Sequence, residues 1–127
     1  MIRSVAYLSF HSCPLAQPGT GDAGGMNVYI RELGRAMAER GIDVTVFTRR
    51  SDEDTADVVE VIPGFRVVHI EAGPRQPLAI RDLHGLVGEF AERTLAWIDE
   101  HQMEFDIIHS HYWLSGWAGV LLKEKLS

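Results

Sequence analysis

A glycine-rich loop near the start of the chain has the composition of an anion-binding site. Residues 19–24 read Gly-Thr-Gly-Asp-Ala-Gly, and Gly25 follows as the first residue of a predicted helix. Backbone N–H groups at a helix N-terminus favour an anion, and glycines let a phosphate approach without a Cβ clash. Asp22 is placed to cap the same helix. We therefore expect a phosphate or similar anion here, with a simple chain reversal as the alternative that spacing leaves open.

The letters of this loop match the dinucleotide-binding pattern G-x-G-x-x-G, but their context differs from it. In that pattern the glycines form the immediate turn between the first strand and the helix, whereas here residues 11–18 intervene. The second predicted strand is followed by Arg49 and Arg50 instead of an acidic residue that would hold a ribose. Arginines suit the extra phosphate of NADP, so NADP binding stays a minority interpretation.

Several other residues near the ends of predicted strands have side chains that could contact a ligand. His11 ends the first strand, His109 and His111 lie at the end of the last one, and Tyr112 begins the helix after it. Two histidines without a third ligand nearby are a weak metal signal, so we expect hydrogen bonding and no metal site. Cys13 has no base paired with it in the sequence, and we assign no catalytic residue within the chain.

The elements that must position these residues alternate between strand and helix. Apolar and β-branched runs predict the strands, and apolar residues three and four apart predict the helices. This alternation predicts an α/β fold with a Rossmann-like, doubly wound, mostly parallel sheet that helices cover on both faces. Ligands bind such sheets at the carboxyl ends of the strands, where the glycine loop and the histidines lie. The predicted strands are 2–10, 43–48, 58–62, 65–70 and 105–110, and the predicted helices are 25–40, 82–101 and 112–126.

Composition narrows the function classes. The chain has 127 residues, 46% hydrophobic and 24% charged, which suits one domain with a core. Its net charge of −6, without a basic block, argues against nucleic acid or an anionic membrane surface as a partner. No apolar run approaches the roughly 20 residues of a membrane span. We also see no signal peptide, and we expect a cytoplasmic protein.

Two long motifs make the chain resemble a known enzyme family. Residues 9–29 read SFHSCPLAQPGTGDAGGMNVY, and residues 109–116 read HSHYWLSG. Together they resemble the N-terminal half of the family-four retaining glycosyltransferases, which have the GT-B architecture of two Rossmann-like domains. Within that family the similarity is greatest to the branch that glycosylates inositol 3-phosphate, and next to the sucrose-phosphate synthases.

The resemblance implies sugar transfer from a nucleotide-sugar donor to an acceptor hydroxyl, with retention at the anomeric carbon. In the branch named first, the donor is UDP-N-acetylglucosamine (UDP-GlcNAc) and the acceptor is 1D-myo-inositol 3-phosphate. The expected partners are therefore a UDP-GlcNAc-like nucleotide sugar and a polyol or sugar phosphate. The family's motif implies acceptor contacts at His11, Asp22, Ala23, Gly24, Gly25, Met26, Asn27 and Tyr112, and donor contacts at Gln17, Pro18 and Gly25.

The chain departs from the family pattern at one binding residue. The family's lysine for the acceptor phosphate falls at Ile80, so Arg75 or Arg81 would have to replace it, and another polyol or sugar phosphate is an open alternative to inositol phosphate.

The family's domain organisation implies what this chain does alone. We expect residues 1–127 to form a single acceptor-binding domain, with the nucleotide-binding domain absent from this chain and no catalysis by the chain alone. We expect no cofactor in this domain, and any Mg²⁺ would belong to the full-length enzyme. A stand-alone anion- or nucleotide-binding module without catalysis is the alternative. The last predicted strand would lie beside the first with an exposed apolar edge, so self-association through that edge or the last helix is expected.

Overall fold

The fold is given by a computed structural model, which describes residues 2–10, 25–76, 78 and 80–110. Within these ranges the chain forms a five-stranded sheet with helices on both faces. No helix in these ranges is both long enough and apolar enough to cross a membrane. The elements are β1 (Ser4–Leu8), α1 (Gly25–Glu39), β2 (Asp43–Arg49), β3 (Val58–Ile62), β4 (Phe65–Ile70), α2 (Ile80–Leu83), a 3-10 turn (His84–Leu86), α3 (Val87–Glu100) and β5 (Ile107–Ser110).

The sheet has the strand order β3-β4-β2-β1-β5. Strands β4, β2, β1 and β5 are mutually parallel, and β3 is an antiparallel edge strand paired with β4. The chain runs outward from β1 through β2 to β4 and then returns to the other side of β1 to form β5. The direction of winding therefore reverses between β1 and β5, which is the switch point where doubly wound sheets bind ligands. This topology confirms the predicted α/β, mostly parallel fold.

The core has two halves because successive residues of each strand point to opposite faces of the sheet. One half lies under α1, and the other lies under α3 and the residues around it. Coverage of both faces was predicted from the alternation of strands and helices, which is typical of parallel sheets. On the α1 side the buried residues are Val5, Tyr7, Ile30, Val44, Val46, Phe65 and Val67. On the α3 side they include Ala6, Leu8, Phe47, Val68, Ile70, Phe90 and Ile98.

Helix α1 is held against the sheet by an apolar stripe and one close approach. Ile30 is buried, and Leu33 and Met37 pack around it, as their spacing predicted. Gly34 lies against the ring of Phe65. A Cβ built on Gly34 would come within 2.7 Å of that ring, so a larger residue would not fit without a shift. The helix ends at Glu39, just before Gly41, whose φ of +86° favours glycine. The predicted helix 25–40 is thus confirmed within one residue.

The second predicted helix, 82–101, is wrong as a single element. The structure breaks it into α2, a 3-10 turn over His84–Leu86 and α3. Gly85 and Gly88 weaken an α-helix at this point. The turn places Leu86 against Gly73. A Cβ built on Gly73 would lie 2.6 Å from the Cδ1 atom of Leu86.

The observed bounds of β1, β2 and β5 differ from the predicted ones. Strands β1 and β5 are shorter than predicted, and β2 extends one residue further, to Arg49. Asp106 precedes β5 and accepts hydrogen bonds from the backbone N–H groups of Arg3 and Ser4, at 2.7 and 3.1 Å. The predicted helix 112–126 lies outside the described residues.

Candidate functional site at the carboxyl edge of the sheet

The carboxyl ends of the four parallel strands form one edge, and α1 begins there. Leu8 of β1 is in register with Phe47 of β2 and Ser110 of β5, and Arg49 is in register with Ile70 of β4. At its other end, the Met37 carbonyl of α1 accepts from the Ile42 N–H at 3.1 Å, and β2 begins at the next residue. The first turn of α1 therefore opens toward the carboxyl edge. The helix dipole gives that edge a positive partial charge.

Most of the predicted substrate contacts fall where the structure gives no test. Gly25, Met26 and Asn27 form the first turn of α1, which places their backbone at the carboxyl edge. Their roles, and the contacts expected of the remaining residues, stay predictions. The predicted residues outside the described ranges are His11, Gln17, Pro18, Asp22, Ala23, Gly24 and Tyr112.

His109 faces the switch point on the α1 side of the sheet. It pairs in register with Tyr7, and the two ring centroids lie 5.3 Å apart with their planes at 50°. Tyr7 is buried, and its hydroxyl donates to the Met37 sulfur at 3.1 Å. Burial, and secondarily Tyr29, raises the pKa of Tyr7, so its phenol stays neutral. The exposed His109 imidazole therefore rests on a neutral aromatic ring and is accessible to a ligand.

Arg49 ties the end of β2 to the segment that follows β4. Its side chain is buried, with the whole residue 5% exposed. Its Nη1 atom donates to the carbonyls of Ala72 and Pro74 at 3.0 and 2.7 Å, and its Nη2 atom donates to the carbonyl of Gln76. Burial lowers the pKa of Arg49, but a guanidinium in a protein stays protonated.

Arg50 is also bound by the protein itself. It is 3% exposed and donates to the Thr55 carbonyl and to the Asp57 carboxylate. Its Nε atom lies 3.7 Å from the Glu71 carboxylate. Since Arg49 and Arg50 are both buried and bonded to the protein's own oxygens, the structure removes the basis for binding NADP through them.

We name residues 71–76, which follow β4, the β4 loop. The cation of this loop is Arg75, whose Nε donates to Glu71 Oε1 at 2.7 Å. The Arg75 side chain is 45% exposed. Both side chains line an open cleft of about 540 Å³ beside α3. Gly73 adopts φ of +71°, and its N–H donates to the Glu89 carboxylate at 3.3 Å. The loop therefore has a defined path that presents Arg75 to solvent.

The sequence did not reveal how this loop is held. Nothing in residue spacing shows that a guanidinium at the end of one strand will meet three carbonyls that follow another strand. A signal was present, because two consecutive arginines at the end of an apolar strand need buried partners. Within the described ranges, no group of three His, Cys, Asp or Glu side chains lies close enough to hold a metal ion.

Comparison with known proteins identifies the family. The glycosyl transferase 4-like domain family matches residues 24–127. The D-inositol 3-phosphate glycosyltransferase of Corynebacterium diphtheriae is 47% identical over 124 residues, which cover 98% of this chain and 29% of that protein. The enzyme of the same name from Xylanimonas cellulosilytica is 50% identical over 123 residues, covering 95% of this chain and 29% of that protein.

A solved structure agrees with these relatives. A sucrose-phosphate synthase from Thermosynechococcus elongatus superimposes with a TM-score of 0.91 and 35% identity, covering 98% of this chain and 31% of that one. The chain spans about 29% of the length of the curated relatives it matches. The resemblance seen in the two sequence motifs is confirmed. The chain belongs to the glycosyl transferase 4-like domain family and has the α/β fold of one half of a GT-B glycosyltransferase.

Proposed function

We propose that this chain is the acceptor-binding domain of a retaining glycosyltransferase. The enzyme would move a sugar from a UDP-GlcNAc-like nucleotide sugar to a polyol or sugar phosphate such as inositol 3-phosphate. The observation that carries the proposal is the placement of the α1 N-terminus at the carboxyl edge of the sheet, in a chain that belongs to a glycosyltransferase family. The names of the curated relatives support inositol phosphate as the first acceptor to test.

In the proposed reaction the bond between the anomeric carbon and the diphosphate oxygen breaks, and a bond from that carbon to the acceptor hydroxyl forms. The nucleotide diphosphate leaves with the bonding electrons, and the hydroxyl proton passes to its departing oxygen. Negative charge grows on the diphosphate, so fixed N–H donors such as the Gly25 amide would lower the barrier. The rest of this domain would hold the acceptor hydroxyl on the face of the sugar that the diphosphate leaves, as retention requires, which is a positioning contribution.

The acceptor's own phosphate needs a cation, and Arg75 meets that need best among the described side chains. Ile80 stands where the family has a lysine, and it has no charge. Arg75 is exposed and bonded to Glu71, a carboxylate that an arriving phosphate would replace as its partner. Arginine binds phosphate through two parallel N–H groups, so the exchange conserves the geometry. Arg81 is the alternative cation.

We place the nucleotide site in a second domain and the reaction in the cytoplasm. This chain alone would bind substrates weakly and would not catalyse, since one wall of a cleft leaves much of a ligand in water. We propose no cofactor in this domain, and any Mg²⁺ would belong to the full-length enzyme.

A chimera tests the proposal. Residues 1–127 would replace the matching segment of the Corynebacterium diphtheriae enzyme, and transfer from UDP-GlcNAc to inositol 3-phosphate and to hexose phosphates would be measured. We expect transfer to at least one acceptor by the chimera and none by the chain alone. A folded chimera that binds UDP-GlcNAc but transfers to no acceptor would favour the alternative, an anion-binding module without catalysis. Calorimetry of the chain with NADP is the control, and we expect no binding.

A further inference from the structure

We infer that Arg49 is a positioning residue for the acceptor anion: it holds the β4 loop in the path that presents Arg75, and it adds a buried positive charge beneath that loop. The inference deepens the proposed function and rests on it. Arg49 itself contacts no substrate in this account, because its guanidinium is turned toward the protein.

The first support is the number and kind of its hydrogen bonds. Three carbonyls of alternate residues, Ala72, Pro74 and Gln76, converge on one guanidinium. The planar fork of arginine satisfies several acceptors in fixed directions, which lysine's single ammonium does not reproduce. The path of the β4 loop therefore depends on this side chain.

The second support is charge. Arg50 pairs with Asp57 and Glu71, and Arg66, in β4, pairs with Asp43. Among the described residues, Arg49 has carbonyl partners but no carboxylate within ion-pair distance. Its charge is therefore solvated by dipoles and not cancelled by an anion. A buried charge is screened weakly by solvent, so it contributes to the positive potential at the carboxyl edge.

The third support is its position between two segments. The Arg49 backbone N–H donates to the Phe10 carbonyl at 3.3 Å, immediately before the segment that contains the glycine-rich loop. Its side chain meanwhile reaches the β4 loop. One residue thus joins Phe10, at the end of the β1 segment, to the β4 loop.

Arg66 supplies a matched control on the same sheet. It lies at the opposite edge, where it donates to Asp43 at 2.7 and 3.1 Å and to the Thr45 hydroxyl at 2.6 Å. Its side chain is 25% exposed. Replacing it removes a comparable set of hydrogen bonds from the fold without touching the carboxyl edge.

The experiment compares Arg49→Met, Arg49→Lys and Arg66→Met in the 127-residue chain. Amide hydrogen exchange would be followed at Gly73 and Gln76, and binding of 1D-myo-inositol 3-phosphate would be followed by NMR titration. For Arg49→Met we expect faster exchange at both loop amides and a roughly tenfold weaker affinity. Arg49→Lys keeps the charge without the fork, so we expect faster exchange with a smaller loss of affinity. Arg66→Met should lower stability while leaving both loop exchange and affinity unchanged.

The outcomes distinguish a failure of the Arg49 inference from a failure of the proposed acceptor-binding function. Unchanged loop exchange in Arg49→Met, or an equal loss of affinity in Arg66→Met, would overturn the inference. If the native chain binds no phosphate compound while loop exchange responds as expected, Arg49 holds the loop but the proposed acceptor site is wrong, and the inference fails with it. If Arg49→Met does not fold, Arg49→Lys gives the same exchange and affinity comparison.

Discussion

At the scale of single residues, the side chains of Arg49, Arg50 and His69 beside the carboxyl edge are bound to the protein's own oxygens. Arg49 and Arg50 are held by backbone carbonyls and carboxylates, and His69 of β4 donates from Nδ1 to the Ala56 carbonyl at 3.0 Å. These contacts shape the loops that follow β2 and β4. The proposed function assigns substrate contacts to the α1 N-terminus and to the exposed Arg75, and the exposed His109 lies at the same edge.

His69 makes the fold sensitive to acid. Burial is the main cause that lowers the pKa of His69, and the charge of Arg50 lowers it further. The hydrogen bonds to Ala56 and Asp57 and the charge of Asp52 act in the opposite direction, and the net shift is downward. Between the lowered pKa and the unfolded value of about 6.5, the unfolded chain binds more protons. Stability from neutral His69 is therefore complete above about pH 6.5 and is lost as pH falls below it.

Urea unfolding from pH 8 to pH 5 measures this dependence. We expect the native chain to lose stability toward pH 5 and His69→Gln to lose less, because glutamine still donates to Ala56 without titrating. The exposed histidines are common to both proteins, so the difference isolates His69. Parallel pH profiles for the two proteins would contradict this assignment.

Gly73 combines an unusual backbone conformation with a close approach. Gly73→Ala places a methyl group 2.6 Å from Leu86 Cδ1 at a φ of +71°, so we expect a loss of about 1 to 3 kcal/mol in the free energy of unfolding. Gly85→Ala is the control, because a Cβ there meets nothing within 4 Å. Urea unfolding of both variants decides the point, and equal stability for the two would show that the β4 loop tolerates the change.

At the scale of elements, what could be predicted depended on how local the cause was. Helix α1 and the β3–β4 hairpin were predicted closely because apolar periodicity and Pro63-Gly64 act within a few residues. The 3-10 turn at His84–Leu86 was missed because the apolar periodicity continues through it, although Gly85 and Gly88 were a local signal. The sequence drew attention to Arg49 and Arg50 but offered only NADP binding, as a minority interpretation, because the loop contacts of these arginines join segments distant in the chain.

The close packing of α1 on the sheet predicts that adding a methyl group at Gly34 lowers stability. Gly34→Ala gains helix propensity, but its Cβ would lie 2.7 Å from the Phe65 ring. We expect overpacking to dominate and to cost about 1 to 3 kcal/mol. Gly88→Ala in α3 meets nothing within 4 Å, so it should stabilise by up to about 1 kcal/mol. Thermal unfolding distinguishes them, and stabilisation by both changes would mean that α1 does not approach the sheet this closely.

At the scale of the whole molecule, the chain is a doubly wound sheet, and the proposed function makes its carboxyl edge one wall of a larger site. The fold class and family were predictable because strand–helix alternation and two long motifs are both properties of the sequence. The path of the β4 loop and its contacts with Arg49 and Arg50 were not predictable, because these contacts form only when β2 and β4 become neighbours. The chain covers 29% of the Corynebacterium diphtheriae relative, and the proposed function assigns the second wall to the part that it does not span.

The outer edge of β5 predicts self-association of this chain. In the described structure β5 pairs only with β1, and Ile107 on it is 38% exposed. Unpaired strand edges with apolar residues pair readily with a second copy. We expect multi-angle light scattering to show dimers at high concentration and Ile107→Lys to reduce them. A native chain that stays monomeric under those conditions would contradict the prediction.

The central claim is that phosphate compounds bind at the carboxyl edge, between the α1 N-terminus and the β4 loop. Amide chemical-shift mapping of the ¹⁵N-labelled chain during titration with 1D-myo-inositol 3-phosphate, and separately with a hexose phosphate, tests it most directly. The account predicts saturable shifts concentrated at Gly25 and residues 71–76 with at least one of the two compounds. Shifts confined to the amino edge around Asp43 and Arg66, or no saturable shift with either compound, would contradict it.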